Sequence, residues 1–119
     1  MLSAVIISKN EEHNIKNCVD HLIEWVDEIV IFDSFSTDRT TAVLEEYGSA
    51  KIKISRIEWQ GFARTKNLAI EAASGDWILS IDADEIVTTE LRDEIRPMVG
   101  NAEHDGYLVT RLLYFCTHP

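Results

Sequence analysis

Short apolar runs alternate with longer amphipathic segments along the whole chain, and this alternation limits the possible folds more than any other feature of the sequence. The apolar runs lie at residues 4–7, 28–33, 52–57, 77–81 and 107–115 and are typical of β-strands. Strands separated by helix-length segments are typical of a mainly parallel sheet with right-handed crossovers and helices on both faces. The sequence therefore predicts an α/β fold.

Helices are expected in the segments between these strands. An apolar stripe from Ile15 to Val26 recurs at three- and four-residue steps, which indicates an amphipathic helix. A second helix is expected after the oxygen-bearing side chains at 36–38, a third over residues 61–74, and a fourth after Thr88. With 119 residues and no linker-like stretch, the chain is expected to form one domain over residues 1–119.

The charge balance argues against several classes of partner. Asp and Glu number 21 against 11 Lys and Arg, and the formal net charge is −10. Such a chain is a poor binder of nucleic acid and of anionic lipid surfaces, because both repel it. A polyanionic substrate would have to be met locally, by backbone amides or by a bound divalent cation. The two cysteines, Cys18 and Cys116, match no metal-ligand spacing, and no export signal opens the chain, so a cytoplasmic protein with reduced thiols is expected.

Polar turns follow three of the predicted strands: residues 8–12, 33–38 and 82–85. In a parallel sheet the carboxyl ends of the strands share one edge, and ligands bind there. Asp82 and Asp84 are two residues apart and would point the same way in extended geometry. Crowded carboxylates favour a cation, and Mg²⁺ or Mn²⁺ prefers such oxygen ligands. The alternative is an ordinary solvated turn that caps the next helix.

Four motifs occur in order along the chain, within residues 8–15, 33–40, 61–69 and 77–85. Together they resemble the family 2 inverting glycosyltransferases, which have the nucleotide-sugar-binding fold called GT-A. Among these, the chain is most similar to the bacterial branch that adds glucose to the inner core of lipopolysaccharide. The resemblance extends from Ser3 to about Tyr114 and implies a UDP-sugar donor and a Mg²⁺ or Mn²⁺ cofactor.

The resemblance also implies roles for individual residues. Asp84 would bind the metal directly, together with Asp82. Many relatives have a second aspartate where this chain has Ser34, and a glycine where it has Phe35. The residues implied to bind the nucleotide sugar are Ser8, Asn10 and Glu11 at the base and ribose, Asp33 at uracil or ribose, Lys66 at the diphosphate, and Asp82 at ribose or the donor sugar.

In this family the general base that deprotonates the acceptor lies in the second half of the domain, so the catalytic residue is expected beyond Pro119. The 119 residues would then be the donor-binding half, with little transfer activity alone and with apolar surface that favours homo-oligomers. A lipid-linked or glycan acceptor is implied, and with it peripheral association with the inner face of the plasma membrane.

Two other functions remain open at this stage. A receiver-type phosphoacceptor module also has this size, alternating strands and helices, and acidic strand ends that bind Mg²⁺. In that interpretation Glu11 and Glu12 hold the metal and an aspartate is phosphorylated. A non-catalytic nucleotide-binding module would bind a nucleoside diphosphate without needing a metal.

Overall fold

A four-stranded sheet forms the centre of the molecule in the computed structural model, which describes residues 1–99. Its strands are β1 (Leu2–Ser8), β2 (Glu28–Asp33), β3 (Ile52–Arg56) and β4 (Trp77–Asp82). Every neighbouring pair is parallel, and the order across the sheet is β3-β2-β1-β4. The predicted parallel α/β fold is confirmed. The strand expected at 107–115 lies outside the described residues.

Four helices connect or follow these strands: α1 (Ile15–Asp20), α2 (Thr40–Glu45), α3 (Phe62–Ala72) and α4 (Thr89–Val99). The Thr88 hydroxyl accepts a hydrogen bond from the Leu91 N–H at 3.2 Å, as expected of a residue that caps α4. Within residues 1–99, no helix combines the length and the apolar character needed to cross a bilayer.

The first helix is shorter than the apolar stripe predicts. After Asp20 the chain continues in turns as far as Trp25, where tighter hydrogen bonds appear, such as the one from the Leu22 N–H to the Val19 carbonyl at 2.9 Å. Leu22 and Val26 are nevertheless fully buried. The apolar spacing therefore identified the buried face correctly but overestimated the length of regular helix.

The two faces of the sheet carry separate apolar clusters. Alternate strand residues such as Ile6, Ile31 and Leu79 join the larger cluster, which α1, α2 and α4 cover. Their neighbours, such as Val5 and Val30, face the other way and pack with α3 residues. Helices on both faces explain why the strands read as continuous apolar runs.

The strand order places a topological switch point between β1 and β4. The chain proceeds from β1 to β2 to β3 in one direction, and then crosses through α3 to place β4 on the other side of β1. Ile7 and Asp82 are partners in the register, so these strand ends lie side by side. Open α/β sheets bind ligands at such a point. A receiver-type sheet instead pairs its first strand with its third, so the described strands exclude that alternative.

Candidate functional site

A cleft of about 230 Å³ opens at the carboxyl ends of β1 and β4. It therefore lies at the switch point that the strand order creates. Four of the predicted site residues line it: Ser8, Glu11, Asp82 and Asp84. The remaining lining residues are Ile7, Lys9, Trp59, Phe62 and Ala83.

The acidic side of the cleft is a tight turn at the end of β4. The strand β4 ends at Asp82, and Asp84 lies in the turn that follows. The prediction that the two carboxylates point the same way assumed an extended chain through both residues, so that argument does not apply here. The turn closes with two hydrogen bonds: the Glu85 N–H donates to the Asp82 carbonyl at 3.0 Å, and the Asp82 N–H donates to Glu85 Oε1 at 2.7 Å. Both aspartate carboxylates remain accessible from the cleft.

Glu85, to which sequence analysis assigns no role, has an unusual environment. Its Oε2 atom is buried and has no hydrogen-bond partner among residues 1–99. Burial raises the pKa of Glu85 to about 7. The hydrogen bond from the Asp82 N–H lowers this pKa, and the negative charges of Asp82 and Asp84 raise it. A carboxyl group beside the two aspartates can therefore hold a proton near neutral pH.

Lys66 brings a cation from α3 to the same turn. Its Nζ atom lies 3.8 Å from Asp82 Oδ1, and only 12% of the side chain is exposed. Burial lowers the pKa of Lys66, while the nearby carboxylates of Asp82 and Glu85 oppose that shift. The ammonium group also lies 5.7 Å from the centre of the Phe62 ring. The structure thus brings Lys66 and Asp82 together, as the predicted diphosphate site requires.

Asp33 lies at the end of β2 but is fully buried. Its Oδ1 atom accepts hydrogen bonds from the hydroxyls of Ser8, at 2.7 Å, and Ser36, at 2.5 Å. Its Oδ2 atom accepts the Ser36 N–H at 2.8 Å. Since the carboxylate is enclosed and engaged on both oxygens, Asp33 holds the ends of β1 and β2 together in this structure.

Asn10 and Glu11 join the loop after β1 to the loop after β2. The Asn10 N–H donates to Ser36 Oγ at 2.8 Å, and Asn10 Oδ1 accepts the Thr37 N–H at 2.7 Å. The Glu11 N–H donates to Thr40 Oγ1 at 2.8 Å. Asn10 has a left-handed φ of 54°, which asparagine tolerates better than most residues. The backbone of this segment is therefore fixed by side chains of the neighbouring loop.

The donor set fits a hard divalent cation that shares its ligands with a substrate. Asp84 and Asp82 offer carboxylate oxygens, the ligands that Mg²⁺ and Mn²⁺ prefer. Within the described part of the chain, no three His, Cys, Asp or Glu side chains are grouped so that they could hold a metal ion. Phosphate oxygens and water would have to complete the coordination, which is common for Mg²⁺.

The sequence profile described as Glycosyl transferase family 2 matches residues 3–117 of this chain. The chain belongs to this family. It is 38% identical to an uncharacterized glycosyltransferase of Rickettsia felis over 98% of its own length and 40% of that protein. It is also 38% identical to the lipopolysaccharide core biosynthesis glycosyltransferase LpsC of Rhizobium meliloti, over 95% of its own length and 43% of LpsC. The chain thus spans about two fifths of these relatives.

Solved structures show the same architecture. Glucosyl-3-phosphoglycerate synthase of Mycobacterium tuberculosis, in complex with Mg²⁺ and uridine diphosphate, superposes with a TM-score of 0.65 at 25% identity. The match covers 86% of this chain and 40% of that one. The fold is that of the GT-A glycosyltransferases, as the motifs predict.

Several residues at the site were not assigned a role from the sequence. Glu85, Phe62 and Trp59 contact the cleft or its acidic turn, and Ser34 and Phe35 line a neighbouring cleft. The sequence did contain a signal that Trp59 lies near the site. It is an aromatic residue in the polar segment between β3 and α3, and that segment lies at the carboxyl edge of the sheet, where ligands bind. The burial of Glu85 carries no comparable signal in the sequence.

Proposed function

We propose that this chain binds the nucleoside diphosphate-sugar donor and the divalent cation of a transferase that passes a sugar, glucose by resemblance, to a cell-envelope glycan or a lipid-linked acceptor. The observation that carries the proposal is the cleft at the switch point, which Asp82 and Asp84 line, with the Lys66 ammonium 3.8 Å from Asp82 Oδ1. Membership of the glycosyltransferase family and the likeness to LpsC support the same conclusion.

The charges at this cleft match the needs of the reaction. When the bond between the sugar and the diphosphate breaks, the leaving diphosphate gains negative charge that must be stabilised. A cation bound at Asp84 and Asp82 would act as a Lewis acid on the phosphate oxygens. Lys66 supplies a second positive charge from a nearly buried position, where its attraction for phosphate is less weakened by water.

Sugar transfer also needs a group that accepts the proton of the acceptor hydroxyl. We propose that this base lies beyond Pro119, as the family resemblance implies. This chain spans about two fifths of the length of its relatives. Glu85 is engaged with the Asp82 N–H and lies in the turn that carries the metal ligands, so we assign it to shaping that turn. We further propose that the protein acts in the cytoplasm, at the inner face of the plasma membrane.

Calorimetric titration of the purified chain with UDP and UDP-glucose, with and without Mn²⁺, tests the proposal. We expect binding that depends on the metal and is lost in Asp84→Asn. The matched control is Asp93→Asn, which removes an exposed carboxylate on α4 away from the cleft.

Two results would count against the proposal. Equal UDP affinity with and without Mn²⁺ would favour the non-catalytic nucleotide-binding module. An Asp84→Asn variant that binds UDP and Mn²⁺ like the control variant would remove the assigned metal ligand.

A further inference from the structure

The Lys66 ammonium occupies an enclosed position with few partners. Only 12% of the side chain is exposed, although an ammonium group carries three donors. Asp82 Oδ1 lies 3.8 Å away, which makes an ion pair but is too far for a hydrogen bond. Lys66 is therefore bound to Asp82 by charge, and its donors remain available to a ligand with better-placed oxygens.

Phe62 helps to keep the ammonium at this position. The two residues are four apart on α3, so their side chains lie on one face of the helix. The ammonium lies 5.7 Å from the centre of the Phe62 ring, within the range of cation–π attraction. The ring stabilises the charge without using the N–H donors, so Lys66 stays directed at the acidic turn.

Asp82 is at once the partner of Lys66 and a candidate metal ligand. Its side chain is 50% exposed and lines the cleft together with Asp84. A divalent cation held by these two carboxylates would lie close to the Lys66 ammonium. Positive charges at such short range repel each other, and the repulsion grows where water is partly excluded. Lys66 and the cation therefore compete for Asp82.

The rest of the turn gives a cation little to set against this repulsion. Within residues 1–99, no three acidic, histidine or cysteine side chains are grouped to hold a metal ion. Glu85 is engaged elsewhere, because its Oε1 atom accepts the Asp82 N–H at 2.7 Å and its Oε2 atom is buried. A cation without a further ligand would depend on two aspartates and water.

A diphosphate would remove both obstacles. Its oxygens accept charge-assisted hydrogen bonds from an ammonium group, which the 3.8 Å contact with Asp82 does not provide. The same oxygens also coordinate Mg²⁺ or Mn²⁺. The flexible four-carbon stem of Lys66 allows the ammonium to change partners without a movement of α3. Asp82 would then be left to the cation.

We propose that Lys66 couples the two ligands: it neutralises Asp82 until a diphosphate binds, and thereby weakens binding of the divalent cation alone. This inference rests on the proposed function, because it needs Asp82 and Asp84 as metal ligands. It gives Lys66 a second task besides contact with phosphate, and it makes the ion pair with Asp82 an inhibitory contact that the donor relieves.

The test measures the Kd for Mn²⁺ by electron paramagnetic resonance of the free ion, without UDP and with saturating UDP, corrected for the complex of Mn²⁺ with UDP in solution. Lys66→Met keeps the length of the side chain and removes its charge. This variant should bind Mn²⁺ alone about fivefold or more tightly than the wild type, because a nearby like charge is lost. The factor by which UDP tightens Mn²⁺ binding should fall correspondingly, and by linkage so should the factor by which Mn²⁺ tightens UDP binding.

Three further variants separate charge from folding and locate the ion. Lys66→Arg keeps the charge and should bind Mn²⁺ alone as weakly as the wild type. Arg64→Met removes an exposed cation from the same helix and should leave this Kd within about twofold, because exposed charges are screened. Adding Asp82→Asn to Lys66→Met should abolish the gain in Mn²⁺ affinity. The melting temperature of each variant establishes that it is folded.

The outcomes distinguish this inference from the proposed function. If the wild type binds UDP with Mn²⁺ but Lys66→Met binds Mn²⁺ alone no more tightly, Lys66 does not compete for Asp82 and the proposed function stands. If Lys66→Arg gains as much Mn²⁺ affinity as Lys66→Met, or the gain survives Asp82→Asn, the inference is wrong. If the wild type does not bind UDP with Mn²⁺, both proposals fail.

Discussion

Glu28, at the start of β2, is a buried carboxylate that should make the stability of the fold depend on pH, so its replacement should cost more at neutral pH than in acid. The residue is 1% exposed. Its Oε1 atom accepts the Ser3 hydroxyl at 2.7 Å and the Ser74 N–H at 2.8 Å, and its Oε2 atom accepts a bond from the Lys53 ammonium. The carboxylate thus connects β1, β2, β3 and the segment after α3.

The pKa of Glu28 gives the size of the effect. Burial favours the neutral form, but the bonds from Lys53, Ser3 and Ser74 outweigh it and lower the pKa from 4.5 to about 2. A lowered pKa means that the folded state stabilises the charged form. That stabilisation is fully present above pH 4.5 and is lost as the pH falls through about 2. The shift corresponds to roughly 3 kcal/mol at pH 7.

Glu28→Gln keeps the size of the side chain and removes its charge. Urea unfolding followed by tryptophan fluorescence should show a loss of roughly 3 kcal/mol at pH 7, falling below about half of that by pH 3. Glu45→Gln, at an exposed position on α2, is the control and should change little at either pH.

Two results would refute this reasoning. A loss below about 1 kcal/mol at pH 7 would mean that the bonds to Glu28 only offset the cost of burying it. An equal loss in the free energy of unfolding at pH 7 and pH 3 would mean that the variant disturbs the packing around residue 28 and that the charge of Glu28 is not the cause.

Other variants test the site and the sheet. Lys66→Met should weaken Mn²⁺-dependent UDP binding about tenfold or more, because a hydrogen bond to a charged group is lost; calorimetry showing unchanged affinity would remove Lys66 from the diphosphate site. Gly75→Ala should lower the free energy of unfolding by roughly 1–3 kcal/mol, since the new Cβ would lie 2.6 Å from Ser3 Oγ and 2.8 Å from the Met1 carbonyl oxygen; an unchanged urea midpoint would contradict this. Glu85→Gln should melt at a higher temperature than the wild type at pH 8 but not at pH 4. The pKa of Glu85 is about 7 in the folded state and 4.5 as a free side chain, so ionisation of Glu85 destabilises the fold at pH 8. Equal melting temperatures of the variant and the wild type at pH 8 would contradict this.

The sheet was predictable because its signals are local. The run at 28–33 is a strand with the same bounds in the structure, since solid apolar residues between polar segments leave few other possibilities. The rule that ligands bind at strand ends then selected Asp82 and Asp84, and both line the cleft. In the turns that follow α1, the apolar spacing showed which residues are buried. It did not show that the backbone leaves regular helix there.

What the sequence did not reveal depends on contacts between distant residues. Glu28 looks like an ordinary polar residue at a strand boundary, and its burial follows only from Ser3, Lys53 and Ser74 meeting there. Phe35 occupies a position that favours glycine, and Lys9 from another loop holds its turn. No spacing rule along the chain indicates such pairings.

The connection between the loops after β1 and β2 has a consequence for binding. Asn10 and Glu11 are tied to Ser36, Thr37 and Thr40 by four hydrogen bonds between backbone and side chain or between side chains. Because the side chains of one loop already hold the backbone of the other, a nucleotide bound here, as we propose, would lose little affinity to the entropy of ordering these loops.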